Sequence, residues 1–179
     1  EKKDWYEQLK SPEYNHPVLM ALAMALMQVF ERAGLKPHMV AGHSLGEYSA
    51  LVCSGALKFA DAVSLVADRG RFMQEAVPLG TGAMAAVLGL DLEAVAQICA
   101  DVSGGGTVVE VANDNCPGQV VISGAKAAVG HAIAGAKAAG AKRGIPLAVS
   151  IAAHSPLMDS IREEWDQAVD QAGFIDARV

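Results

Sequence analysis

Apolar positions along this chain follow two periods, and the switches between them mark its elements. From Pro17 to Ala33 nearly every residue is apolar or a strong helix former; His16-Pro17 opens the run with proline in the first turn, and Gly34 ends it. A helix apolar nearly all round predicts burial on more than one side, as in layered α/β folds. The longest apolar stretch, Pro17 to Phe30, is too short for a bilayer and is interrupted by Gln28, so no membrane span is expected. After Lys36-Pro37, Met39-Val40-Ala41 reads as a short strand, Gly42 to Gly46 as a sharp turn, and Glu47 to Cys53 as a helix closing near Gly55. Phe59 to Ala76 places Ala62, Val63, Leu65, Val66, Phe72 and Met73 at helical spacing, with Asp61 early and arginines late.

The next seventy or so residues read as strand Ala83 to Leu88, helix Leu92 to Val102, strands Thr107 to Ala112 and Gln119 to Ser123, helix Lys126 to Ala139 and strand Arg143 to Val149. That βαββαβ order is the ferredoxin-like pattern, with turns at Gly104-Gly105-Gly106 and Pro117-Gly118. Residues 80–149 are therefore expected to form a small inserted subdomain, with 1–79 and 150–179 belonging to one α/β core. Ser150 to His154 leads out of the insert, and an amphipathic helix is expected from about Leu157 to Gln171.

Composition narrows the function classes. A net charge of −6, with Lys and Arg scattered among acids, argues against a nucleic-acid surface. Cys53, Cys99 and Cys116 are odd in number and widely spaced, matching neither a disulfide framework nor a metal knuckle, so reduced, mostly buried thiols and no metal are expected. No leader precedes the first helix, which makes the cytoplasm the default expectation.

Chemistry concentrates at Gly42-x-Ser44-x-Gly46. Between a strand and a helix this is the pattern of a nucleophile elbow, in which the tight backbone presents the serine hydroxyl and the following N–H groups, Leu45 included, face a developing oxyanion. A serine needs a base. Of the five histidines, His16, His38 and His131 read as surface or helix-end residues, and His43 as a ring packed against the site. His154, on a loop after a strand-like segment, is the remaining candidate, with catalytic and structural roles evenly balanced on position alone. Arg69 reads either as a solvated helix residue, a role Arg71 could fill equally, or as a guanidinium receiving a carboxylate through two parallel hydrogen bonds.

Taken together, Gly42-His43-Ser44-Leu45-Gly46-Glu47-Tyr48-Ser49-Ala50-Leu51-Val52 resembles the active-site segment of malonyl-CoA:acyl-carrier-protein transacylases. Phe59 to Val63, Arg69 to Ala76, Gly80 to Ala86, Asn115 to Val121 and His154-Ser155-Pro156-Leu157-Met158 resemble successive segments of the same family, so the likeness covers nearly the whole chain. It implies an α/β-hydrolase-like core with a ferredoxin-like insert, and a ping-pong transfer of malonyl from coenzyme A through Ser44 to the phosphopantetheine thiol of acyl carrier protein. His154 would be general base and acid, oriented by a backbone carbonyl. Leu45 would give one oxyanion N–H and Arg69 would hold the malonyl carboxylate, with His43, Met73 and Asn115 near the substrate. The resemblance suggests a monomer, with no cofactor beyond the coenzyme A thioester that is the substrate.

Leu45 matches the malonyl-selective members, whereas Ile151-Ala152-Ala153 before His154 departs from the commoner Ser or Phe. The family's opening strand and oxyanion loop, and its later strands with a Gly-Pro-Gly segment, have no counterpart here. A fragment with weak or no activity alone is the expectation. The rival readings are a serine esterase or thioesterase, which needs no carboxylate-binding arginine, and a non-catalytic carrier-protein docking domain.

Overall fold

The computed structural model describes residues 6, 8, 9, 11–149 and 151–179. Its elements are α1 (Pro12–Arg32), α2 (Gly46–Cys53), α3 (Phe59–Ala76), β1 (Gly82–Leu88), α4 (Leu92–Val102), β2 (Val109–Cys116), β3 (Gln119–Ala125), α5 (Lys126–Ala138), β4 (Arg143–Pro146), a 3₁₀ turn (Pro156–Ile161) and α6 (Arg162–Gln171). They fall into two compact units, Glu1–Phe72 with Glu163–Val179, and Met73–Arg162.

The second unit is a four-stranded sheet in the order β2-β3-β1-β4, with every neighbouring pair antiparallel. Side chains alternate across it with period two. Ala85 and Val87 of β1 and Val120 and Ile122 of β3 point to one face, where Val95 and Cys99 of α4 and Ala128, Val129, Ala132 and Ala136 of α5 close a core. The register places Ala85 opposite Ile122 and Val87 opposite Val120. Small alanines on α5 let that helix lie close to the sheet, and the Asp91 carboxylate caps α4 by accepting from the Ala94 N–H at 2.8 Å. The opposite face carries Met84 and Val121, packed with Met73, Ile151 and Ala153.

The first unit is helical. Met20 of α1 packs with Leu57 and with Ala62, Leu65 and Val66 of α3, while Tyr48, Leu51 and Val52 of α2 and Trp165, Ala168 and Val169 of α6 border the cluster. The C-terminal tail is tied back by the Ile175 N–H to Ala56 O (3.0 Å) and the Arg178 N–H to Ser54 O (2.8 Å).

Several expectations need correction. Helix α1 begins at Pro12, five residues before the proline expected to open it; Pro12 takes the first-turn position and Pro17 sits inside the helix. Nor is α1 buried on more than one side. Among its residues only Pro12 and Met20 are buried, and Leu22, Leu26 and Val29 are 52–60% exposed, because the neighbours in its own unit cover one stripe. Residues 39–41 form no ladder: no described strand lies beside them to take their hydrogen bonds, and Met39 is 87% exposed. Strand β2 starts two residues later than expected and runs on to Cys116, with irregularities at Val111/Asn113 and Asp114/Cys116. Strand β4 extends only to Pro146, short of the expected Val149, although the Leu147 N–H still donates to Met84 O at 2.9 Å. The expected last helix divides into the 3₁₀ turn and α6. Of the thiols only Cys99 is buried; Cys116 is exposed. Of the expected exit from Ser150 to His154, only Ser150 lies outside the described residues. Among the described residues no helix is long and apolar enough to cross a membrane.

Ile122 is fully buried between sheet and helices. Truncating it to alanine is expected to destabilise the second unit by about 2–5 kcal/mol, read as a lower urea midpoint; a loss under about 1 kcal/mol would contradict this account of the core.

Candidate functional site

The Ser44 turn is built from three successive hydrogen bonds, Gly46 N–H to His43 O (2.9 Å), Glu47 N–H to Ser44 O (3.2 Å) and Tyr48 N–H to Leu45 O (3.2 Å), which wind the chain directly into α2. Among the described residues none of the turn's bonds uses the Leu45 N–H. A β-carbon on Gly42 would stand 2.1 Å from the Glu47 N and 2.2 Å from the Gly46 carbonyl carbon, so only glycine fits beneath the start of the helix. Gly46 is different: a β-carbon there would meet nothing within 4 Å. The tight passage leaves Ser44 at φ 51°, in the left-handed region. Such a conformation costs a non-glycine residue on the order of 1–3 kcal/mol and persists only where the surroundings enforce it.

Among the described residues one other non-glycine residue has positive φ, His154 at 57°. It belongs to the second unit, exposed between the buried Ala153 and Ser155, and the Ser155 hydroxyl donates to Ala152 O at 2.7 Å to fix that turn. The two residues singled out as nucleophile and base are thus the two non-glycine residues, among those described, with left-handed backbones.

Arg69, near the middle of α3, faces the Ser44 turn within the first unit. Its Nη2 donates to Ser44 Oγ at 3.1 Å, its Nη1 lies 3.5 Å from His16 Nδ1, and its guanidinium carbon is 5.8 Å from the centre of the Tyr48 ring. Tyr48 is in turn set edge-on to Trp165 of α6, with ring centres 6.2 Å apart. Burial pulls the guanidinium pKa below its ordinary value, against the opposing influence of Tyr48 and Glu47, and burial pushes the Tyr48 phenol up. Among the described residues no carboxylate forms an ion pair with Arg69. Arg71 behaves otherwise: it pairs with Asp68 at 3.0 Å and lies over the Phe72 ring at 4.4 Å, on the helix surface. The ambiguity between the two arginines is resolved by geometry, with Arg71 as the surface residue and Arg69 at the serine.

Sequence reasoning missed His16. Expected at a helix end or on the surface, it is partly buried in α1 against Arg69. The sequence signal was weak, since only the helix start at Pro12 places residue 16 one turn inside. The remaining candidates belong to the two units separately. His43, expected to pack against the site, is exposed and contributes its carbonyl to the turn. Met73 is 5% exposed in the apolar cluster with Met84 and Val121. Asn115 is exposed on β2 at the irregularity between Asp114 and Cys116. Among the described residues no group of three His, Cys, Asp or Glu side chains is arranged to hold a metal.

The first unit thus brings a serine hydroxyl on a strained turn at a helix start together with a guanidinium that has no ion-pair partner among the described residues. The model of the acyl transferase domain family matches residues 5–178, and the chain belongs to that family. It is 55% identical over 153 residues, 85% of its length, to the malonyl CoA-acyl carrier protein transacylase of Escherichia coli (strain K12). Among solved structures it resembles the malonyl CoA-acyl carrier protein transacylase of Coxiella burnetii (TM-score 0.93, 42% identity, 97% of this chain and 55% of that one). It also resembles a malonyl-transacylase solved in complex with a type II PKS acyl-carrier protein (TM-score 0.92, 44% identity, 97% and 56%). The chain spans about half the length of the curated relatives it matches, 49% of the Escherichia coli protein.

Burial first, and the Arg69 charge second, lower the His16 pKa from 6.5 to about 4. The folded state therefore binds fewer protons than the unfolded one between those values, and this contribution to stability, complete above pH 6.5, is lost as pH falls toward about 4. Ring titration by NMR should find His16 neutral at pH 5, and His16→Gln should flatten the fall in melting temperature across that window; a ring titrating near 6.5 would contradict the buried placement.

Proposed function

We propose that the chain carries the nucleophile and acyl-binding machinery of a malonyl transferase, moving malonyl from malonyl-CoA to the phosphopantetheine thiol of acyl carrier protein. The observation that carries this reading is Arg69 Nη2 at 3.1 Å from Ser44 Oγ, with neutral groups as its other partners. In the first half-reaction Ser44 Oγ attacks the thioester carbonyl, the C–O bond forms, the C–S bond breaks, and coenzyme A leaves as its thiol. In the second, the carrier thiol attacks the serine ester, forms the new thioester and releases the hydroxyl. His154 accepts the serine proton and passes it to the departing coenzyme A sulfur, then accepts the carrier thiol's proton and passes it to the serine oxygen. The left-handed backbone at His154 and the resemblance of its segment to the family support that role. The Leu45 N–H, which takes no part in the turn's hydrogen bonds among the described residues, supports its assignment to the oxyanion at the N-terminus of α2.

A malonyl group on Ser44 ends in a carboxylate within reach of a guanidinium already bonded to that oxygen. Two parallel charged hydrogen bonds there would favour malonyl over acetyl, which an esterase for neutral acyl groups would not need. His43, Met73 and Asn115 are retained as substrate-proximal residues on the resemblance alone. The strand order β2-β3-β1-β4 supports reading residues 80–149 as a ferredoxin-like insert in an α/β-hydrolase-like core formed by 1–79 and 150–179. The likeness to a transacylase solved with its carrier protein supports acyl carrier protein as the partner. A cytoplasmic monomer using no cofactor beyond the coenzyme A of its substrate completes the reading.

Incubation with malonyl-CoA should add one malonyl mass, mapped to Ser44 and absent in Ser44→Ala. Arg69→Ala should slow malonyl loading on the order of a hundredfold while leaving acetyl loading nearly unchanged, and Arg69→Lys should restore little of it. Equal losses for malonyl and acetyl would overturn the carboxylate role, and an adduct persisting in Ser44→Ala would overturn the nucleophile.

A further inference from the structure

The Arg69 guanidinium has to hold one orientation if it is to meet a carboxylate through two parallel bonds, and its own helix does not fix that orientation. Arginine has a long flexible stem, and its head must be restrained by what it touches. Three contacts within the first unit do this: the Ser44 hydroxyl at Nη2, the Tyr48 ring beside the plane, and the His16 imidazole at Nη1. The first changes when Ser44 is acylated, and the second comes from Tyr48 of α2, the helix that the Ser44 turn itself opens. His16 is the contact that comes from a separate helix, α1, and is independent of the turn.

The fold goes to some length to bring it there. Gly70, adjacent to Arg69, is buried against the start of α1: a β-carbon on it would lie 2.4 Å from Pro12 C, Pro12 O and Glu13 N. Only glycine at 70 permits this approach of α1 to α3, and His16 lies one helical turn beyond Pro12, level with Arg69. The chemical type also matters. A carboxylate at this position would neutralise the guanidinium and compete with an incoming acid, whereas a lysine would repel it. An unprotonated imidazole accepts one hydrogen bond and leaves the full positive charge available.

We propose that His16 is a positioning residue, its unprotonated Nδ1 accepting from Arg69 Nη1 so that Nη2 and its neighbouring N–H are presented to the carboxylate of an acyl group on Ser44. The inference rests on the malonyl-transfer reading for the identity of the acid, but the restraint on Arg69 is a property of the protein alone and is tested separately.

The first readout is the side-chain NMR spectrum of Arg69 in wild type, His16→Gln and His16→Phe. Glutamine keeps an acceptor, and phenylalanine keeps the ring volume without one. Separate Nη resonances are expected in wild type and His16→Gln, collapsing to an average in His16→Phe. Equal spectra in all three proteins, or averaged Nη signals in wild type, would overturn the proposal. The second readout is the ratio of malonyl to acetyl loading rates on Ser44. It should fall about tenfold in His16→Phe and recover in His16→Gln, with acetyl loading within about twofold of wild type throughout. A ratio unchanged by His16→Phe would also overturn the proposal. If wild type takes up no malonyl while its Nη signals stay distinct, the malonyl-transfer reading fails and the positioning of Arg69 stands.

Discussion

The first unit is organised around a partly buried positive charge with no negative partner among the described residues. Removing a guanidinium from water is costly unless its N–H groups find acceptors, and here the known acceptors are a hydroxyl and an imidazole, with an aromatic ring alongside. Each comes from a different part of the chain. Ser44 arrives on a turn that Gly42 allows to pass beneath α2, His16 on a helix that Gly70 allows to approach α3, and Tyr48 on a ring braced by Trp165 from α6. A charge held in this way is preorganised for an anion, because binding a carboxylate completes its coordination without breaking an internal ion pair.

Backbone strain marks the proposed nucleophile and base. Ser44 and His154 are the non-glycine residues with left-handed φ among those described, one in each unit, and each is fixed by local bonds rather than by its own preference. In a serine nucleophile that strain lifts the hydroxyl clear of the chain. The antiparallel sheet with its alanine-lined helix α5 supplies the rigid body from which the His154 turn projects, and Ala153 on one side of that turn belongs to the sheet's second apolar cluster.

The order of strands and turns was legible for the second unit because its central strands β1 and β3 are covered on both faces by the unit's own residues, whereas β2 and β4 are largely exposed. Helix α3 ran over the expected residues for the same reason: its apolar stripe meets a core within reach. Helix α1 shows the limit. Its apolar sequence signals a need for neighbours on several sides without naming them, and Leu22, Leu26 and Val29 stay exposed. Residues 39–41 likewise have strand composition with no described partner. At the site, the glycine-serine spacing identified the turn because its cause is steric and local. The resemblance named Arg69, but a physical reason to prefer it over Arg71, and finding His16 at all, required knowing which face of α3 meets α1, a relation fixed by the contact of Gly70 with Pro12 and invisible in either segment alone.

The central claim is that the guanidinium of Arg69 receives the carboxylate of an acyl group carried on Ser44. A crystal structure of the protein after reaction with malonyl-CoA tests it most directly. The account expects an ester at Ser44 Oγ whose terminal carboxylate makes two hydrogen bonds to Arg69, with His16 still against Nη1. An ester whose carboxylate points to solvent or to another cation, with Arg69 turned away, would contradict it.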